Sequence, residues 1–173
     1  MRTDTDGNIS VRVDTNGVIS VRADTNRNLF VRAESNGNIT LRSDSYGNIY
    51  VRAEANGNIS VRADTNRNVS VKADTNELNG HTCVRPDTNG NISVGADAIG
   101  NISVRADTNR NVSVKADTNG PNGHTSVRPD TNGNISVGAD TNGNISVRAD
   151  TNGNISVGAD AIGNDCSGYV LAS

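Results

Sequence analysis

A unit of ten residues, seen in clean form as Asn144-Ile145-Ser146-Val147-Arg148-Ala149-Asp150-Thr151-Asn152-Gly153, recurs with small changes from Asn8 to Gly163. A fixed short period marks a repeat architecture, in which each unit buries its apolar face only by stacking on its neighbours. With Asn counted as position one, Ile, Val, Ala and Thr fall at positions two, four, six and eight. Ser, Arg, Asp and Asn fill the odd positions between them. Strict alternation is the pattern of a strand with one dry and one wet face. Asn-Gly-Asn then interrupts it, because Gly and Asn tolerate the left-handed backbone that many turns require. Each unit therefore predicts one strand and one turn.

Parity decides how such strands can be joined. A two-residue Asn-Gly hairpin would set Ile at position two against Asp at position seven, turning each dry face toward its neighbour's wet face. A three-residue loop restores parity and gives an antiparallel β-meander, but that sheet would need something to cover its apolar face. A β-solenoid covers itself: parallel stacking sets like on like, with Ile, Val and Ala in inward ladders and turn Asn residues in amide ladders. Ten residues are too few for two strands and two turns, so the expected coil holds two units around a thin core. The expected fold class is thus an all-β β-solenoid of about 20 residues per coil, with the meander as alternative. With one Phe, three Tyr and no Trp, the chain lacks the aromatics that fill thick cores. The regular β-branched positions nonetheless favour order over disorder.

A twenty-residue signal supports the two-unit coil. From Asn8, every second unit keeps Arg at position five: Arg22, Arg42, Arg62, Arg85, Arg105, Arg128 and Arg148. The intervening units begin with Arg12, Arg32 and Arg52 and then drift to Lys72, Gly95, Lys115, Gly138 and Gly158. Duplication of a block explains the same parity, since Leu78 to Gly120 and Pro121 to Gly163 are near copies. Both explanations stand at this level.

The domain reading has three parts: an imperfect repeat over 1–7, the repeat array over 8–163, and a divergent segment or cap over 164–173. Three-residue insertions near 77–80 and 120–123 fall in turns four units apart, so both should emerge from one edge. Pro86 and Pro129 replace Ala at position six and should make their strands locally irregular. Nothing comparable to a cap marks the start, and unpaired strand edges template further pairing, so end-to-end or edge-to-edge self-association is expected.

The repeated Asp-x-x-Gly-Asn-Ile resembles the core of the YD (Rhs-type) repeats of large toxin shells and surface proteins, over about six residues of each unit. The Tyr-Asp element and the longer period of that family are missing, so no residue role is carried over. Ser45-Tyr46-Gly47-Asn48-Ile49-Tyr50-Val51 is similar to short propeller-blade motifs, but blades bury both sheet faces and the Ser, Arg and Asp positions here are polar.

Groups that could carry chemistry are sparse. Cys83 and Cys166 both replace the Ser at position three of a unit and should point outward, about four rungs or about 19 Å apart. That exceeds the reach of a disulfide, so free thiols are expected. Asp140-Thr141-Asn142-Gly143-Asn144 and Asp4-Thr5-Asp6-Gly7-Asn8 offer oxygen ligands, yet Gly stands fourth instead of sixth and no twelfth-position Glu follows, unlike a calcium loop. The Asp is expected to cap its own turn instead. Asn-x-Ser/Thr glycosylation motifs begin at Asn8, Asn38, Asn58, Asn68, Asn91, Asn101, Asn111, Asn134, Asn144 and Asn154, and read better as turn residues entering strands. His81 and His124 follow the insertions and are expected to be exposed loop residues.

No catalytic, cofactor-binding or metal-binding residue is therefore expected, and an enzyme is not. A net charge of -3, with Arg and Asp interspersed, disfavours a nucleic-acid partner. No apolar run is long enough to span a membrane, and Met1 to Gly7 lacks a signal-peptide core. The compartment is left open. The expected role is structural: a rigid spacer, surface module or self-assembling fibre subunit. The alternatives are an ice-binding solenoid, which would need outward Thr ladders, and a calcium-dependent adhesin.

Overall fold

The computed structural model describes residues 1–76, 80–120, 123–161 and 166–172, the backbone alone from 161 onward. Among them seventeen strands wind into two parallel sheets. The nine-stranded sheet contains β1 (Arg2–Thr5), β3 (Ile19–Thr25), β5 (Ile39–Ser45), β7 (Ile59–Thr65), β9 (His81–Thr88), β11 (Asn101–Thr108), β13 (His124–Thr131), β15 (Asn144–Thr151) and β17 (Cys166–Ala172). The eight-stranded sheet contains β2 (Ile9–Thr15), β4 (Leu29–Ser35), β6 (Ile49–Ala55), β8 (Val69–Thr75), β10 (Ile92–Ala98), β12 (Val112–Thr118), β14 (Ile135–Thr141) and β16 (Ile155–Ala161). Each strand pairs with the second strand before and after it, so one coil holds two repeats. The chain is a β-solenoid, and the meander is excluded because every pairing is parallel.

Register follows the repeat residue for residue. Ile39 lies beside Ile59, Leu41 beside Val61 and Arg42 beside Arg62. Even positions point inward: Ile59, Val61 and Ala63 of β7 and Val69, Val71 and Ala73 of β8 are fully buried in one continuous cluster. Like-on-like stacking makes each inward column uniform in width, which close packing demands. The Arg at position five lines up along the nine-stranded sheet, from Arg22 beside Arg42 to Arg105 beside Arg128.

The insertions change the period, not the register. Across them the pairing step lengthens to 23 residues, as in Ile59 beside Thr82 and Val112 beside Ile135. Both occur where the chain passes from the eight-stranded to the nine-stranded sheet, hence on one edge. Residues 77–79 and 121–122 themselves lie outside the described set. Pro86 and Pro129 disturb less than expected, because β9 and β13 run straight through them. Pro86 keeps its place beside Ala63 on the preceding strand, whereas bridging to β11 lapses at Arg85 and Pro86. Pro129 repeats this, paired with Ala106 but not with β15. A parallel strand residue directs its N–H to one neighbour only, so the missing donor opens the ladder on one side.

The turns depart from expectation in two ways. No described residue, glycine included, has a positive φ. Glycine is needed instead for close approach: a Cβ on Gly90 would lie 2.2 Å from the Arg67 carbonyl oxygen, and one on Gly100 would lie 2.0 Å from that of Gly80. The residue that closes the turn is also Thr at position eight and not Asp. The Thr108 hydroxyl accepts the Arg110 N–H at 3.2 Å and donates to the Gly90 carbonyl of the preceding coil at 2.5 Å. Thr25, Thr65, Thr88, Thr131 and Thr151 make the same inter-coil bond. Each such hydroxyl is buried and bonded twice, tying a turn to itself and to the coil before it.

Thr82 offers the converse case. It stands at an Ile position, beside Ile59 and Ile102, 1% exposed and with no partner for its hydroxyl. One substitution should thus have opposite signs at two sites. Thr108→Val should lower unfolding stability by about 1–3 kcal/mol, whereas Thr82→Val should raise it by about 1 kcal/mol. Chemical denaturation followed by circular dichroism measures both, and equal signs would refute this account of the turn.

Candidate functional site

The outer surface is built from the odd positions, so each sheet face carries parallel columns of Ser, Arg and Asp. Along a strand, positions five and seven lie on the same face two residues apart, within ion-pair reach. Arg62 Nε approaches Asp64 Oδ2 at 3.2 Å, Lys72 Nζ approaches Asp74 Oδ2 at 3.2 Å, and Arg32 and Arg52 pair with Glu34 and Glu54. These exposed pairs contribute little stability individually. Their effect here is to hold Asp24, Asp44, Asp64, Asp74, Asp107 and Asp117 to their own strands instead of to the turn.

The turn asparagines bond from coil to coil. At position nine, Asn amides stack: Asn56 Nδ2 donates to Asn36 Oδ1 at 2.9 Å and Asn109 Nδ2 to Asn89 Oδ1 at 2.9 Å. Asn26 Nδ2 donates to the carboxylate of Asp6 at 2.7 Å. At position one, the Asn side chain accepts a backbone N–H of the next coil, as Asn38 Oδ1 does from Asn58 at 2.8 Å and Asn134 Oδ1 from Asn154 at 3.1 Å. The expected amide ladders are therefore present in two forms. Asn8, Asn38, Asn58, Asn68, Asn91, Asn101, Asn111 and Asn134, all glycosylation-motif residues, serve as such acceptors. Among the described residues no three His, Cys, Asp or Glu side chains converge as a metal-ion cage.

The histidines are exposed but not in loops. His81 and His124 open β9 and β13, where their N–H groups take the place of the position-one Asn by donating to Asn58 and Asn101 at 2.8 and 2.9 Å. Cys83 is a free thiol, partly exposed between Ser60 and Ser103. Cys166 lies four strand steps away in the same sheet, as expected, but one register place earlier than its spacing implied: it stands beside Ile145, not Ser146. The divergent segment continues the sheet through β17.

Two surface features escaped the sequence reading. Phe30 and Tyr50 occupy position three of β4 and β6, twenty residues apart, and stack with centroids at 5.0 Å and planes 6° apart. Their identical repeat position was a signal in plain view. The second is the consequence of Gly at position five. Gly95, Gly138 and Gly158 leave open space on the eight-stranded face, and they leave Asp97, Asp140 and Asp160 without the cation that other units place two residues earlier. Asp97 stands between Asp74 and Asp117 in its column. Partial desolvation, then repulsion from those neighbours, raises its pKa above the ordinary 3.8. Desolvation also raises Asp44 and Asp107, against the pull of Arg42 and Arg105.

At the two ends of the solenoid, β1, β2, β16 and β17 have a strand partner on one side only among the described residues. No described helix is long and apolar enough to cross a membrane. No protein-family model matches the chain. Neither a curated protein nor a solved structure shows significant similarity to it.

The raised carboxylates set the sign of a pH effect. A carboxyl whose folded pKa lies above its unfolded value holds its proton longer in the folded chain. Its contribution to stability therefore grows as pH falls toward 3.8 and is lost as pH rises. Asp97→Asn should raise the melting temperature at pH 7, and its advantage over the parent should shrink as pH is lowered toward about 4. Melting curves across that range test it, and an advantage that widens at low pH would contradict the assignment.

Proposed function

We propose that the chain is a non-enzymatic structural module: a stiff β-solenoid acting as spacer, surface module or fibre subunit, which self-associates through its end strands. The observation that carries this reading is the pair of open sheet edges at each end, β1 and β2 at one and β16 and β17 at the other. β1, β2 and β16 present ladders whose register the interior repeats already use, so a second copy can continue them without new chemistry. Stiffness follows from the two sheets sharing one core and from the bonds that join successive turns.

The polar surface supports the same reading. Many polar side chains are engaged in repetitive internal bonds, with Asp24, Asp64 and Asp117 among the acids paired along a strand, Thr108 holding its turn and Asn56 stacked on Asn36. The Thr column on which an ice-binding surface would depend is inward, Thr75 and Thr118 being almost completely buried.

Sedimentation velocity and negative-stain microscopy over a wide concentration range test the reading. The expected particles are rods about 38 Å long per copy, lengthening in such units as concentration rises. Ala159→Pro, at position six of the outermost strand of the eight-stranded sheet, should shorten them, because Pro86 and Pro129 at that position keep pairing with the preceding strand and lose it to the following one. A compact monomer at the highest concentrations would remove the fibre reading.

A further inference from the structure

We propose that the outer face of the eight-stranded sheet is self-complementary and pairs two copies face to face, with their solenoid axes antiparallel. This contact is independent of association at the ends.

The argument starts at position five. Along β2, β4, β6 and β8 the column reads Arg12, Arg32, Arg52, Lys72, and along β10, β12, β14 and β16 it reads Gly95, Lys115, Gly138, Gly158. A dyad parallel to the strands and lying between β8 and β10 brings β2 over the partner's β16, β4 over β14, β6 over β12 and β8 over β10. Strand positions are preserved by that operation, so position five meets position five. Arg12 then faces the partner's Gly158, Arg32 the partner's Gly138, and Lys72 the partner's Gly95. In three of four strands a long cation meets a site where nothing lies within 4 Å of a would-be Cβ.

Charge follows shape. Each of those glycines stands two residues before a carboxylate that lacks a cation on its own strand: Asp160, Asp140 and Asp97. The first four strands carry four cations against four acids at positions five and seven, while the last four carry Lys115 alone against four acids. Turning one copy end for end sets the cation-rich half on the acid-rich half. The nine-stranded face has no such asymmetry, because Arg recurs at position five from Arg2 to Arg148 and would meet Arg.

The aromatic pair fits the same arrangement. Phe30 and Tyr50, 44% and 43% exposed, stand at position three and come to lie over the partner's Ser136 and the partner's Ser113. Those serines line a shallow groove running along β10, β12, β14 and β16. A protruding apolar pair and a hollow of small side chains thus occupy equivalent places on the two halves of one face. Eight strands of seven residues span about 34 by 23 Å, a footprint of about 800 Å², which is the area per partner that stable complexes use. An isologous contact of this kind closes at two copies.

One strand pair does not conform: Arg52 meets the partner's Lys115. That mismatch supplies half of the test. Analytical ultracentrifugation of the full chain, of Gly138→Arg and of Lys115→Gly should give a dimer for the parent. Association should be weakened by at least about tenfold in Gly138→Arg, where Arg would oppose the partner's Arg32, and tightened several-fold in Lys115→Gly. Gly138→Arg recreates the environment of Arg32 and Arg52 and has room for its side chain, so unchanged circular dichroism accompanies the change in association. A parent that stays monomeric at millimolar concentration overturns the inference. So does association that Gly138→Arg leaves unaltered, and growth past the dimer with that indifference would assign the contact to the end strands instead.

Discussion

The hydroxyl of the position-eight threonine is the smallest contact on which the rest of the coil depends. It accepts the N–H two residues ahead and donates to a carbonyl 18 residues behind, as Thr108 does with Arg110 and Gly90. The first bond shapes the turn and the second fixes its height on the preceding coil. Position eight can do this because its side chain points inward, where water does not compete. The twenty-residue register is then stated twice, once by the apolar columns and once at the corner. A slip by one residue would break both statements, and this explains why a core of small aliphatic residues and almost no aromatics specifies one pairing.

The inward columns were legible in the sequence because parity is a geometric argument and needs no knowledge of turns. Ile, Val, Ala and Thr at even positions admit only structures whose strands meet like on like, and the Arg series of alternate units counts two repeats per coil. What the turns do was less legible. Asp-Thr-Asn-Gly contains three side chains able to cap a turn, and local propensity favours Asp. Asp140 has the same parity as Arg148 and points outward, so only Thr141 is on the side where the turn needs a buried bond. Glycine was misread for a related reason. Its conformational freedom is the usual explanation for a turn glycine, but here the corner stacks directly on the corner below, and Gly100 is excluded from carrying a Cβ by the Gly80 carbonyl.

The prolines and the terminal cysteine show the limit of position-by-position reading. A proline in a central strand breaks pairing when its nitrogen faces a neighbour on whom the register depends. Pro86 and Pro129 retain full pairing on one side, so each costs a local gap and not a strand. Cys166 was counted from the last intact repeat, and the sequence contains no mark showing that the pairing step there becomes 21 residues, as Ile145 beside Cys166 requires. A register shift in a divergent segment is set by what the strand finds to pair with, and this is a property of the assembled coil.

A solenoid of this kind separates the residues that fold the chain from those that meet its surroundings. Even positions and turns are held by packing and by bonds repeated in every coil, so they vary little and say little about use. Positions three, five and seven face solvent and are constrained only by weak ion pairs along a strand. Departures from the repeat at those positions therefore cost the fold little. Phe30, Tyr50, Gly95, Gly138 and Gly158 are such departures, and all lie on the eight-stranded face. The nine-stranded face keeps its Arg and Asp columns nearly unchanged from end to end. Two faces with the same strand geometry but such different outer columns are not equivalent surfaces, and any contact the chain makes through a face should discriminate between them.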